Sequence, residues 1–91
     1  MVERKHILLA LVEDKPGVLN RISNVFRRRG FNIQSVNVLE TIESENSELS
    51  GLTRIAIVVT GSVSMLGQVR KQLEKLVDVV KVSDITARNA M

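Results

Sequence analysis

Cysteine, tryptophan and tyrosine are absent from the chain, and histidine and proline occur once each, as His6 and Pro16. Without cysteine there is neither a disulfide framework nor a thiolate metal site, which fits a reducing compartment and excludes metal carriers built on Cys-x-x-Cys. A single histidine leaves little for acid–base catalysis or metal ligation. His6 has no second His, Cys or carboxylate at ligand spacing and reads as a surface or capping residue at a strand end. None of the serines stands in a Gly-x-Ser-x-Gly elbow, and the glycines follow neither the Walker nor the dinucleotide spacing. These absences point to a non-catalytic chain with no metal and no cofactor of its own.

Aromatic residues are scarce as well, with two Phe against a formal charge of +3. Single-strand and RNA readers interleave stacking faces with their cations, and here Phe26 falls on the apolar stripe of a helix, so the basic balance does not read as nucleic-acid binding. Arg27-Arg28-Arg29 stand where a helix C-terminus favours cations and read as a solvated face. No apolar run approaches the ~20 residues of a membrane span, and the polar opening residues carry no signal-type apolar stretch. The expectation is a soluble, cytoplasmic protein without a membrane partner. The 91 residues, 44% of them apolar, make one domain, 1–91, with a core over about 5–86. A core of that size is marginal and gains from dimerisation.

Apolar periodicity divides the chain. His6 to Glu13 is a continuous apolar run of strand length. Val18, Leu19, Ile22, Val25 and Phe26 recur at helical spacing over 18–29, with Gly30 as the stop. Phe31 to Ile42 is rich in β-branched residues, with Ile33 on one parity and Val36, Val38 and Ile42 on the other, so a bulge is expected near Gln34-Ser35. Residues 43–51 form a polar, acidic hairpin connection, expected to be the most mobile part. Leu52 to Thr60 alternates as a third strand. Ser62 is the expected cap of a second helix with Leu66, Val69, Leu73 and Leu76 on its stripe. Val77 to Thr86 is the fourth strand, and 87–91 a tail.

The order βαββαβ is the ferredoxin-like split unit, an α+β sandwich with two helices on one face of a four-stranded antiparallel sheet. Ala10, Val12, Val36, Val38, Ala56 and Val58 are assigned to the opposite face, too apolar for a wet surface, so that the sheet or its edge is expected to meet another subunit.

The strand-to-helix corner Asp14-Lys15-Pro16-Gly17-Val18-Leu19 is the stretch with chemistry. Pro16 suits the first helical turn, Gly17 has no side chain to keep a ligand away, and the free N–H groups of the helix start face whatever lies over the corner. That is an anion site of the carboxylate or phosphate kind.

Three segments carry a resemblance: Glu13-Asp14-Lys15-Pro16-Gly17-Val18-Leu19-Asn20-Arg21-Ile22, Phe26 through Val36, and Lys71 through Val82. Together they resemble the ACT domain of the small regulatory subunit of acetolactate synthase (acetohydroxyacid synthase). The resemblance implies a non-catalytic subunit that activates a catalytic subunit, itself dependent on thiamine diphosphate and Mg, and that imposes feedback inhibition by valine or another branched-chain amino acid. It implies a homodimer with a continuous sheet and an effector at its interface. The effector carboxylate would lie on the N–H groups of Gly17 and Val18, and Asn32 and Ile33 would reach it from the partner. Where the family usually has Glu-Asn this chain has Asp14, whose carboxylate can accept from an effector ammonium but loses an amide donor and repels a carboxylate. Many family members carry a second, C-terminal domain, so a short-form or truncated subunit is implied. A stand-alone ACT-type amino-acid sensor acting on another enzyme or a transcription regulator is the alternative.

Overall fold

A computed structural model describes residues 3–42 and 51–86. The elements are β1 (Glu3–Glu13), α1 (Val18–Arg28), β2 (Asn32–Ile42), β3 (Leu52–Ser62), α2 (Val63–Glu74) and β4 (Val79–Asp84). They form one antiparallel sheet in the order β2-β3-β1-β4, the ferredoxin-like arrangement. β1 begins three residues earlier than its apolar run, and β4 is shorter than expected because Leu76 to Asp78 turn, with Val79 N–H donating to Leu76 O at 3.1 Å. The acidic connection at 43–50 and the tail at 87–91 lie outside the described residues.

Register shows which side chains share a face. Directly opposed residues of antiparallel strands point the same way, and Leu8, Ala10 and Val12 stand opposite Ile57, Ile55 and Thr53. All six are buried beneath the helices. Ala10 and Val12 therefore belong to the core and not to the open face. Val36 and Val38 pair with Ile57 and Ile55, so they too lie on the helix side. Of the residues assigned to the open face, only Ala56 and Val58 are there, opposite Leu9 and Ile7. The run from Ile7 to Val12 is apolar in both parities, so alternation could not identify the inner face.

The bulge in β2 explains its broken parity. Ile33 pairs with Val59 and Ser35 with Val58, leaving Gln34 as the extra residue, and the inserted residue brings Ile33, Val36 and Val38 onto one face. A second shift leaves Leu39 unpaired and turns Ile42 to the open side opposite Leu52. Outward of the helices, Val36, Val38, Leu39 and Ile42 are all substantially exposed along this edge strand.

α1 buries Val18, Ile22 and Phe26 on one stripe, while Leu19 is left exposed. The helix ends in a Schellman closure: Gly30, at φ 78°, donates to Arg27 O at 3.1 Å, and Phe31 N–H donates to Phe26 O at 2.9 Å. Its apolar clasp is the Phe26–Phe31 pair, edge to face with ring centroids 6.0 Å apart. α2 buries Leu66, Val69 and Leu73. Ser62 holds the N-cap position, but its hydroxyl lies 2.8 Å from Ser64 Oγ and makes no capping bond to the helix.

His6 is buried, contrary to the reading of a surface residue. Its Nε2 lies 3.2 Å from Gly61 O, and its ring centroid lies 6.0 Å from that of Phe31. A carbonyl can only accept, so Nε2 carries the proton. Even residues of β1 face the helix side, and after the exposed Arg4 His6 is the first of them to be buried, against Gly61 and Phe31.

Candidate effector site

The corner is held from two sides. Glu13 N–H donates to Asp78 O at 2.8 Å and Asp14 N–H to Gly51 O at 2.9 Å, tying the end of β1 to the α2–β4 turn and to the start of β3. The chain then turns through Pro16 and Gly17. Gly17 is the N-cap residue of α1 at φ 83°, a left-handed conformation that favours glycine. Pro16 thus precedes the cap and is not in the first helical turn, because the left-handed residue separates the two.

No side chain caps α1, and its first turn holds no acidic residue. Val18 N–H makes only a long contact with Lys15 O, 3.4 Å, and the first full helical bond is Arg21 N–H to Gly17 O at 3.0 Å. Among the described residues, the N–H groups of Gly17, Leu19 and Asn20 have no backbone acceptor. The positive end of the helix therefore presents unpaired donors to solvent.

Beside these donors lies an open cavity of about 370 Å³, lined by Val12, Thr53, Ile55, Val38 and Thr41 from the helix side of the sheet, and by Asp14, Gly17, Val18, Leu19 and Asn20 from the corner. Its size is at the small end of ligand sites. One wall is aliphatic, two threonines contribute hydroxyls, the helix start offers N–H donors, and Asp14 adds a carboxylate at the rim. Lys15 Nζ lies 2.7 Å from Glu13 Oε2, and that contact raises the pKa of the lysine. The arrangement suits a small zwitterion with an aliphatic side chain. Leu19 lay in the corner stretch read from sequence, whereas Asn20, Val38, Thr41 and Thr53 were not assigned to the site. The exposed position of Leu19 on an otherwise buried stripe is explained by this cavity.

Asp14, Gly17 and Val18 come together at the cavity; Asn32 and Ile33 do not. Asn32 stands opposite Thr60 and Ile33 opposite Val59, whereas the corner lies beside Leu52. Eight residues of β3 separate the two ends, about 26 Å at the usual strand rise. Within one protomer they cannot serve one small ligand.

Residues 8–81 match the model of the AHAS small subunit-like ACT domain. The chain belongs to this ACT-domain family of acetolactate synthase small subunits. It is 49% identical over 80 residues to a probable acetolactate synthase small subunit of Methanothermobacter thermautotrophicus, covering 88% of this chain and 44% of that protein. A probable acetolactate synthase small subunit of Archaeoglobus fulgidus is 50% identical over 82 residues, 90% of this chain and 48% of that one. The crystal structure of the acetolactate synthase small subunit from Thermotoga maritima superposes with a TM-score of 0.67 at 46% identity, covering 89% of this chain and 47% of that chain. The ACT unit spans about half the length of these small subunits. No helix among its described residues is long and apolar enough to cross a membrane, and no group of three metal-ligating side chains occurs among them.

Proposed function

We propose that this ACT unit regulates the catalytic subunit of an acetolactate synthase, raising its activity and conferring feedback inhibition by a branched-chain amino acid, valine first. The observation that carries the reading is the cavity at the corner, where the unpaired N–H groups of Gly17, Leu19 and Asn20 border an aliphatic wall. An amino acid lays its carboxylate on those donors, and its side chain against Val12, Val38 and Ile55. Its ammonium turns toward Asp14 or the threonine hydroxyls. The chain contributes no catalytic group, and thiamine diphosphate and Mg belong to the catalytic partner.

A homodimer completes the site. The exposed apolar side chains of β2, Val36, Val38, Leu39 and Ile42, favour edge-to-edge pairing with a second copy. Antiparallel pairing about the middle of β2 sets the start of one strand beside the end of the other, so Asn32 and Ile33 of the second copy approach Thr41 and the mouth of the cavity. This accounts for two residues that lie too far away within one chain.

The test is reconstitution of the protein with an acetolactate synthase catalytic subunit. Acetolactate formation should rise when the protein is added and fall again when valine is added. No change in rate on addition of the protein would refute the regulatory reading.

A further inference from the structure

Helical side chains lean back toward the N-terminus, and the guanidinium of Arg21 lies over the corner in this way. Its Nη1 stands 3.0 Å from the position that a β-carbon on Gly17 would take. Its Nε donates to Asp78 Oδ2 at 2.9 Å, and its Nη2 reaches the same oxygen. Asp78 also accepts, through its backbone carbonyl, the N–H of Glu13 at 2.8 Å. One residue of the α2–β4 turn therefore grips both ends of the corner: the last residue of β1 by its carbonyl, and the first turn of α1 by its carboxylate.

The surrounding charges reinforce this geometry. Glu13 and Lys15 form their own pair, and the Lys15 ammonium also feels the attraction of Asp78 and the repulsion of Arg21. The Asp78 side chain is 13% exposed and that of Arg21 46% exposed, so the bond is shielded on the carboxylate side. With two of its nitrogens on Asp78, the guanidinium is held toward the α2–β4 turn.

We propose that Arg21 and Asp78 are positioning residues of the corner cavity. Their ion pair holds the Glu13–Gly17 backbone and the start of α1 in the arrangement that presents the free N–H groups to a ligand carboxylate. The inference rests on the corner being the effector site. It extends the site to the α2–β4 turn, so that ligand affinity depends on a residue outside the cavity.

The experiment compares the parent with Asp78→Asn, Arg21→Gln and the charge-exchanged double variant Arg21→Asp/Asp78→Arg. Amide hydrogen exchange on the ligand-free proteins is one readout and calorimetric titration with valine is the other. Each single variant should speed exchange at the hydrogen-bonded amides of Glu13 and Asp14 by roughly fivefold, the scale of a partly exposed ion pair, while Ile57 in the core changes less. Valine affinity should fall by a similar factor, and the double variant should recover part of both losses. Unchanged exchange at the corner would overturn the inference, as would faster exchange with valine affinity unaltered. A parent that binds no amino acid would overturn the effector reading instead, and the exchange rates would then decide the role of the pair alone.

Discussion

The ring of Phe31 fills the space that a β-carbon on Gly61 would need: the two would lie 2.3 Å apart. Gly61 is therefore required by packing, in the middle of a cluster that also holds His6 and Phe26. Gly61→Ala should cost about 1–3 kcal/mol, the usual price of overpacking a tight core. Phe31→Ala should cost about 3–5 kcal/mol by opening a cavity. In the double variant the costs should fall short of additive, because the smaller side chain makes room for the added methyl. Urea unfolding of the three proteins measures this directly.

At the corner, Gly17→Asp should remove valine binding while the fold survives. The new carboxylate sets a like charge at the helix start that receives the effector's carboxylate. It also forces a non-glycine residue to φ 83° and pushes a β-carbon to 3.0 Å from Arg21 Nη1. A stability loss of about 1–2 kcal/mol is expected from the left-handed backbone. Far-ultraviolet circular dichroism with a thermal melt checks the fold, and calorimetry checks the binding. A folded Gly17→Asp protein with parental valine affinity would place the effector elsewhere.

Much of this was legible in the sequence, and the exceptions have physical causes. The βαββαβ order followed from periodicity, and the β2 bulge followed from a single break in parity at Gln34-Ser35. The corner was readable because Pro16 and Gly17 mark a turn whatever surrounds them. The facing of β1 was not readable, since a run that is apolar at every position from Ile7 to Val12 gives no alternation to follow. Burial of His6 was hidden for a related reason: strand length beyond the apolar run depends on pairing with β3, a long-range property. The lining from Thr41, Thr53 and Val38 was also invisible, because it is assembled by register between β2 and β3.

Edge pairing through β2 predicts a defined response to charge. Val38 is 57% exposed and lies outside the packed core, so Val38→Lys should leave the monomer's stability nearly unchanged while discouraging strand addition. The parent should behave as a dimer at tens of micromolar in light scattering, and the variant as a monomer. Both proteins scattering as monomers would refute pairing through this edge.

The end of β4 should show a modest acid dependence. Burial by itself pushes the Asp84 carboxyl up, but the Thr86 hydroxyl at 2.6 Å and the Thr86 N–H at 3.0 Å, with Arg70 and His6 nearby, hold it below the usual aspartate value. A carboxyl depressed in the folded state stabilises above the ordinary aspartate range, about pH 4, and loses that contribution as the pH falls through its folded value. Asp84→Asn should flatten this part of the stability profile between neutral pH and pH 3. Thr86→Val should flatten it as well, and should also lower stability at pH 7, because the Thr86 hydroxyl accepts the Ile7 N–H at 2.9 Å.

The central claim is that the corner cavity receives a branched-chain amino acid, and a valine titration of the nitrogen-15-labelled protein followed by amide chemical shifts tests it most directly. Saturable shifts should appear at Gly17, Leu19 and Asn20, with smaller ones at Thr53, Val38 and Asn32, and the Leu9 and Val58 amides of the open face should stay still. Saturable shifts confined to the open face or to α2, with the Gly17–Asn20 amides unmoved, would contradict the account.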